Sequence, residues 1–215
     1  VYGGHPKIVL AHFELSLIQI SVGVEFVFQA RCVVFPGIKP ALHSVDEVEV
    51  FIHHNFFKES DQVRCLFSRL VNISDPNRVA IIPSVSYGLA TVARNAPVEQ
   101  GGNIVIVEEQ FPSNVYTWRR ACDAVGATLK TVAPPEIDDG RGRGWNEALL
   151  DAIDEQTAVV TIPELHWTDG TRFDLTRVGE KARACGARLV IDGTQSVGAM
   201  PFDFQDFLFS LTIWS

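Results

Sequence analysis

From about residue 57 onward, short apolar runs alternate with stretches in which apolar residues recur every three or four positions. Val63, Leu66, Phe67, Leu70 and Val71 share one helical stripe, which the Ser-Asp-Pro-Asn cluster at 74–77 ends. Residues 78–82, Arg-Val-Ala-Ile-Ile, then read as a short buried strand, and 84–95 as a helix closed by Pro97 and the glycines at 101–102. The run 104–107, Ile-Val-Ile-Val, predicts a second buried strand, followed by a helix that Ser113 can cap and Gly126 can terminate. Residues 128–132 are a third strand candidate, and the Gly- and Pro-rich stretch 134–144 is expected to be a surface loop. A short helix at 145–153, a strand at 158–162, a helix at 174–185 stopped by Gly186, and a strand at 187–191 complete the pattern. Strands that are apolar throughout and alternate with helices predict a mostly parallel sheet covered on both faces, a three-layer α/β fold.

The N-terminal stretch departs from this regularity. Residues 8–35 are largely apolar, but His12, Glu14, Gln19, Glu25, Gln29 and Arg31 interrupt them. A membrane span requires about 20 nearly uninterrupted apolar residues, and neither that nor a signal peptide is read here. Ile18, Ile20, Val22 and Val24 alternate with smaller or polar residues, as a strand would require.

Charge and cysteine content narrow the partners. Lys plus Arg number 18 against 26 Asp plus Glu, a net charge of −8, which argues against nucleic acid or an anionic membrane surface. Cys32, Cys65, Cys122 and Cys185 form no close pair, so reduced and largely buried thiols in a cytoplasmic setting are expected, and no metal site.

Ligands of parallel sheets sit beyond the carboxyl ends of the strands, so the residues that follow each strand carry the candidate chemistry. Pro83-Ser84-Val85-Ser86 opens a helix, where free amides and two hydroxyls can cradle a phosphate, or the serines can simply cap. Phe111, beside Pro112, can offer a flat face to a ring or pack as ordinary core. Glu164 to Thr171 places polar and aromatic groups, His166 and Trp167 among them, on a tight turn. Asp192 ends a buried strand and needs a partner, whether Mg²⁺, an arginine or a protonated ring nitrogen.

Taken together, Ile-Pro-Ser-Val-Ser-Tyr-Gly at 82–88, Glu-Gln-Phe-Pro-Ser-Asn-Val-Tyr at 109–116, His-Trp-Thr-Asp-Gly-Thr at 166–171 and Ile-Asp-Gly-Thr-Gln-Ser-Val-Gly at 191–198 are more specific than any one of them. In order and spacing the chain resembles the class V aminotransferases, pyridoxal-phosphate enzymes that include cysteine desulfurases, isopenicillin-N epimerases and kynureninases. The resemblance covers about residues 60–206, with a weaker echo from about 40. It implies the large domain of the fold type I transferases for residues 41–215, no family pattern in residues 1–40, and an absent small C-terminal domain. It implies pyridoxal 5'-phosphate as cofactor, an amino-acid substrate and a homodimer. Val85 (through its backbone) and Ser86 match the phosphate-holding positions, Phe111 the ring-stacking position, and Asp192 the acid on the pyridinium nitrogen. Gln195 matches the amide on the phenolic oxygen, and His166 or Trp167 is expected on the substrate side.

One departure bears on activity. The family's Schiff-base lysine follows the Asp, yet the lysines here are Lys7, Lys39, Lys58, Lys130 and Lys181, all before Asp192. The chain as given is therefore expected to be inactive alone. Two other classes remain open on the residues: a Mg²⁺-dependent phosphotransferase recruiting Asp169 or Glu164 beside Asp192, and a non-catalytic binding or dimer-forming relative.

Overall fold

The computed structural model describes residues 16–19, 57–96, 98–137, 139–207 and 210–214. In chain order the elements are β1 (Ser16–Gln19), α1 (Lys58–Leu70), β2 (Val79–Ile82), α2 (Val85–Asn95), β3 (Asn103–Val107), α3 (Pro112–Val125) and β4 (Thr128–Val132). They continue with α4 (Arg141–Ala152), β5 (Thr157–Pro163), α5 (Leu175–Ala184), β6 (Arg188–Asp192) and β7 (Ser210–Trp214). The strands form one sheet in the order β2-β1-β7-β6-β5-β3-β4. Pairing is parallel from β7 through β6, β5 and β3 to β4, and antiparallel on both sides of β1.

Alternation along the strands divides the core in two. Val105 and Val107 face one side, with Val160, Ile162, Leu189 and Ile191, against α1, α4 and α5. Ile104 and Ile106 face the other, with Val159 and Val190, against α2 and α3. A side-chain period of two with both faces covered makes every position of β3 buried, and the three-layer α/β sandwich follows. No helix among the described residues is long and apolar enough to cross a membrane.

The elements depart from the sequence reading at definite places. α4 begins at Arg141, four residues before the expected start, because Gly140 at φ +74° opens the helix and Gly142 and Gly144 continue it. Ser113 does not cap α3: the helix starts at Pro112, with Phe111 as its cap residue and no side-chain cap bond. Gly126 does end α3, in the left-handed conformation at φ +73°. On α1 the stripe is only half covered, since Phe67 is buried but Leu66 and Leu70 are 50% and 56% exposed. Cys65 is exposed, Cys185 half-buried and Cys122 buried, so burial holds for one of the three thiols described. β1 covers the start of the strand expected around 18–24; residues 20–24 and Cys32 lie outside the described residues.

Candidate cofactor site

The carboxyl ends of β2, β3, β5 and β6 meet at a cavity of about 220 Å³, to which the turn after each strand contributes. After β2, Ser84 adopts extended backbone and caps α2, its Oγ accepting from the Tyr87 amide at 3.1 Å. The following amides of Val85 and Ser86 sit at a helix N-terminus, where no intrahelical acceptor exists for them and the dipole favours an anion. Ser84, Val85 and Ser86 all line the cavity.

After β3 the chain turns sharply, with Glu109 in the left-handed region at φ +52°. Such a conformation is costly for a non-glycine residue, and here it throws Phe111 outward onto the cavity wall, 51% exposed. The turn after β5 braces it from the side. Trp167 stands edge-on to Phe111 with ring centroids 5.7 Å apart, and its Nε1 donates to the Glu109 carbonyl at 2.6 Å. Trp167 lines the cavity.

His166 is placed elsewhere. Its side chain is buried against Trp145 and Phe173, with Nε2 2.9 Å from the Glu108 carbonyl and Nδ1 2.8 Å from Thr168 Oγ1. With both nitrogens occupied, it fastens the β5 turn to the β3 turn and does not line the cavity. The sequence could not tell the two neighbours apart, because a tight turn points successive side chains in different directions.

Asp192 closes the floor. It is the last residue of β6 and 9% exposed; its Oδ1 accepts from the Thr194 amide at 3.1 Å and its Oδ2 from Asn114 Nδ2 at 2.8 Å. Burial pushes its carboxyl above the usual range, and the bonds from Thr194 and Asn114 oppose that push. No charged side chain among the described residues contributes to its ionisation. Gln195, exposed, completes that side of the cavity. The two acids that a metal-dependent reading would add are committed to arginines: Glu164 accepts from Arg172 at 3.1 Å, and Asp169 pairs with Arg141. Neither lines the cavity.

This arrangement has the chemistry of pyridoxal phosphate distributed over it. An anion-seeking helix start, a half-exposed aromatic face and a buried carboxylate without a cation border one space. Gln110 Nε2 and Ser113 Oγ, on residues lining the same cavity, are buried without a hydrogen-bond partner among the described residues. The contributions of Gln110 and Asn114 escaped the sequence reading. The one signal for Asn114 was Thr161, a polar residue inside an otherwise apolar strand.

Comparisons with known proteins give the family and the fold. The family model Aminotransferase class-V matches residues 45–211. An uncharacterized aminotransferase, YcbU, of Bacillus subtilis (strain 168) is 27% identical over 150 residues, 70% of this chain and 38% of that protein. A cysteine desulfurase of Enterobacter sp. (strain 638) is 28% identical over 148 residues, 67% of this chain and 36% of the relative. Among solved structures, the cysteine desulfurase CsdA from Escherichia coli shares the fold over 82% of this chain and 43% of its own, with a TM-score of 0.65 at 16% identity. The cystine C-S lyase C-DES, in complex with its reaction product cysteine persulfide, gives a TM-score of 0.65 at 19% identity over 80% and 44%. The chain thus spans less than half the length of each of these proteins.

Proposed function

The chain belongs to the class-V aminotransferase family, and from that premise we propose that it binds pyridoxal 5'-phosphate as part of an enzyme acting on an amino acid. Residues 41–215 then form part of the large cofactor-binding domain. One observation carries the reading: the α2 start at Ser84–Ser86, the exposed ring of Phe111 and the cation-free Asp192 border a single cavity. When bound, the cofactor supplies an electron sink that labilises bonds to the substrate's α-carbon. The Val85 and Ser86 amides and the Ser86 hydroxyl would hold the phosphate, and Phe111 would pack against the ring. Asp192 would hold a proton on the ring nitrogen, because opposite charges side by side favour the ionised carboxylate and the protonated ring together. Gln195 donates to the phenolic oxygen, and Trp167 bounds the substrate side. The half-exposed rings of Tyr87, Phe111 and Trp167 support association with a second subunit there.

Among the described residues, Lys58 and Lys181 are exposed and Lys130 bonds Asp154 at 2.6 Å, and none of the three lines the cavity. By this reading the 215 residues alone hold the cofactor without a covalent anchor and turn over no substrate. Titration with pyridoxal phosphate, followed by absorbance and Trp fluorescence, is the test. Saturable binding that Asp192→Ala weakens about tenfold or more is expected. Borohydride reduction and peptide mapping should find no single stoichiometric pyridoxyl-lysine. Failure of the unaltered chain to bind, or one such lysine with turnover, overturns the respective half of the reading.

A further inference from the structure

Asn114 is fully buried in the first turns of α3 and touches three other elements or residues at once. Its Oδ1 accepts from Thr161 Oγ1 of β5 at 3.0 Å and from Trp118 Nε1, one helical turn further along α3, at 3.4 Å. Indole nitrogen is only a donor, so an oxygen must face it, and the amide orientation is fixed. Nδ2 is therefore directed at Asp192 Oδ2, 2.8 Å away. Trp118 and Thr161 are themselves completely buried, so the amide has no slack in which to turn.

Around Asp192 the Asn114 bond is the one hydrogen bond among the described residues that reaches the carboxylate from another element of the fold. Its register partners are Pro163 on β5 and Ile213 on β7, neither of which titrates, and the turn that follows offers Thr194. Among the described residues no lysine, arginine, histidine or second acid shapes its ionisation. The side chain and backbone of Thr194 favour the ionised carboxylate from its own turn, with Oδ1 accepting the Thr194 amide, and Asn114 adds to them at Oδ2 from α3.

We propose that Asn114 is a positioning residue for Asp192, held by Thr161 and Trp118 so that its amide keeps the carboxylate ionised and aimed into the cavity for a cationic ring. The inference rests on the reading of the cavity as a pyridoxal-phosphate site. It makes Asn114 act through Asp192 and not on the cofactor itself.

The Asp192 carboxyl can be followed by carbon NMR in the ligand-free chain, and cofactor binding by fluorescence across the same pH range. In the unaltered chain the Asn114 side-chain amide resonance should titrate in step with the Asp192 carboxyl. Asn114→Leu should move that titration to higher pH and weaken pyridoxal phosphate binding about tenfold near neutrality, with its acid limb moved up in parallel. The isosteric Asn114→Asp should raise it further, since two carboxyls at hydrogen-bond distance cannot both ionise. An Asn114 amide that ignores the Asp192 titration, or a variant that binds with an unchanged acid limb, overturns the proposal. Absence of binding by the unaltered chain fails the cofactor reading instead, while the coupling of the two side chains stays measurable without ligand.

Discussion

Two acids of this chain, Asp192 buried and Asp154 half-exposed, respond to pH in opposite directions, and the cause lies in their partners. Asp192 is desolvated without a cation, so its folded-state pKa stands above the unfolded value. The native state then binds more protons than the unfolded state between those values, and stability falls as pH rises through that window. Asp154, at the far end of the sheet, accepts from Lys130 Nζ at 2.6 Å and from Asn103, which hold its carboxyl well below the usual range. Its contribution is present above the ordinary carboxylate pKa of 3.8 and is lost as pH falls further. Half exposure screens that pair and keeps its worth small. Asp192→Asn should therefore gain on the unaltered chain as pH rises from about 4 to 8, read as the difference between their urea midpoints. A constant difference across that range would show that Asp192 is not desolvated. Asp192 was legible in the sequence because a charge terminating an apolar strand needs a reason. Asn114 was not, because its three partners lie 4, 47 and 78 positions away and nothing in local spacing announces them.

Among the elements, α4 shows how composition misleads. Three glycines in five residues read as a loop, yet Gly142 and Gly144 lie inside the helix. Gly144 is there for close approach: a Cβ at that position would stand 2.8 Å from the ring Cγ of Pro135. The approach lets Trp145, one residue on and buried, donate its Nε1 to the Val132 carbonyl at 2.8 Å while Arg141 lies over its ring. At Gly142 the nearest atom to such a Cβ is Thr171 Cγ2 at 3.4 Å, within ordinary contact. The two positions should thus part company on substitution. Gly142→Ala is expected to stabilise by up to about 1 kcal/mol through helix propensity. Gly144→Ala is expected to destabilise by about 1–3 kcal/mol, because a proline ring cannot swing aside. Urea unfolding of both variants decides it, and equal effects would mean that the 134–137 segment yields freely. Where the helices pack by period alone, at 84–95 and 174–185, sequence and structure agree to within a residue.

At the scale of the whole molecule, one short strand bridges β2 to β7, a placement that the alternation of elements does not reveal. The parallel strands β7, β6, β5, β3 and β4 follow from apolar runs joined by helices, as the sequence reading expects. β2 carries the Ser84–Ser86 wall of the cavity, but it does not pair with any of them. Among the described residues it joins the sheet only through β1, which runs antiparallel to both β2 and β7 and comes from outside the family-matched residues. Pairing between residues about 60 and 195 positions apart leaves no periodic trace, so the strand was expected but its place was not. Ile18 is opposite Ala80 on one side and Ile213 on the other. Proline there removes a ladder donor from the middle of a strand flanked on both sides, a position sheets do not tolerate. Ile18→Pro should therefore lower the urea midpoint of the chain. It should also weaken pyridoxal phosphate binding more than free pyridoxal binding, because the wall proposed to hold the phosphate is the part of the cavity that β1 ties to the rest. If cofactor and pyridoxal lose affinity equally, the packing of α2 against α3, and not the β1 ladder, is what holds that wall in place.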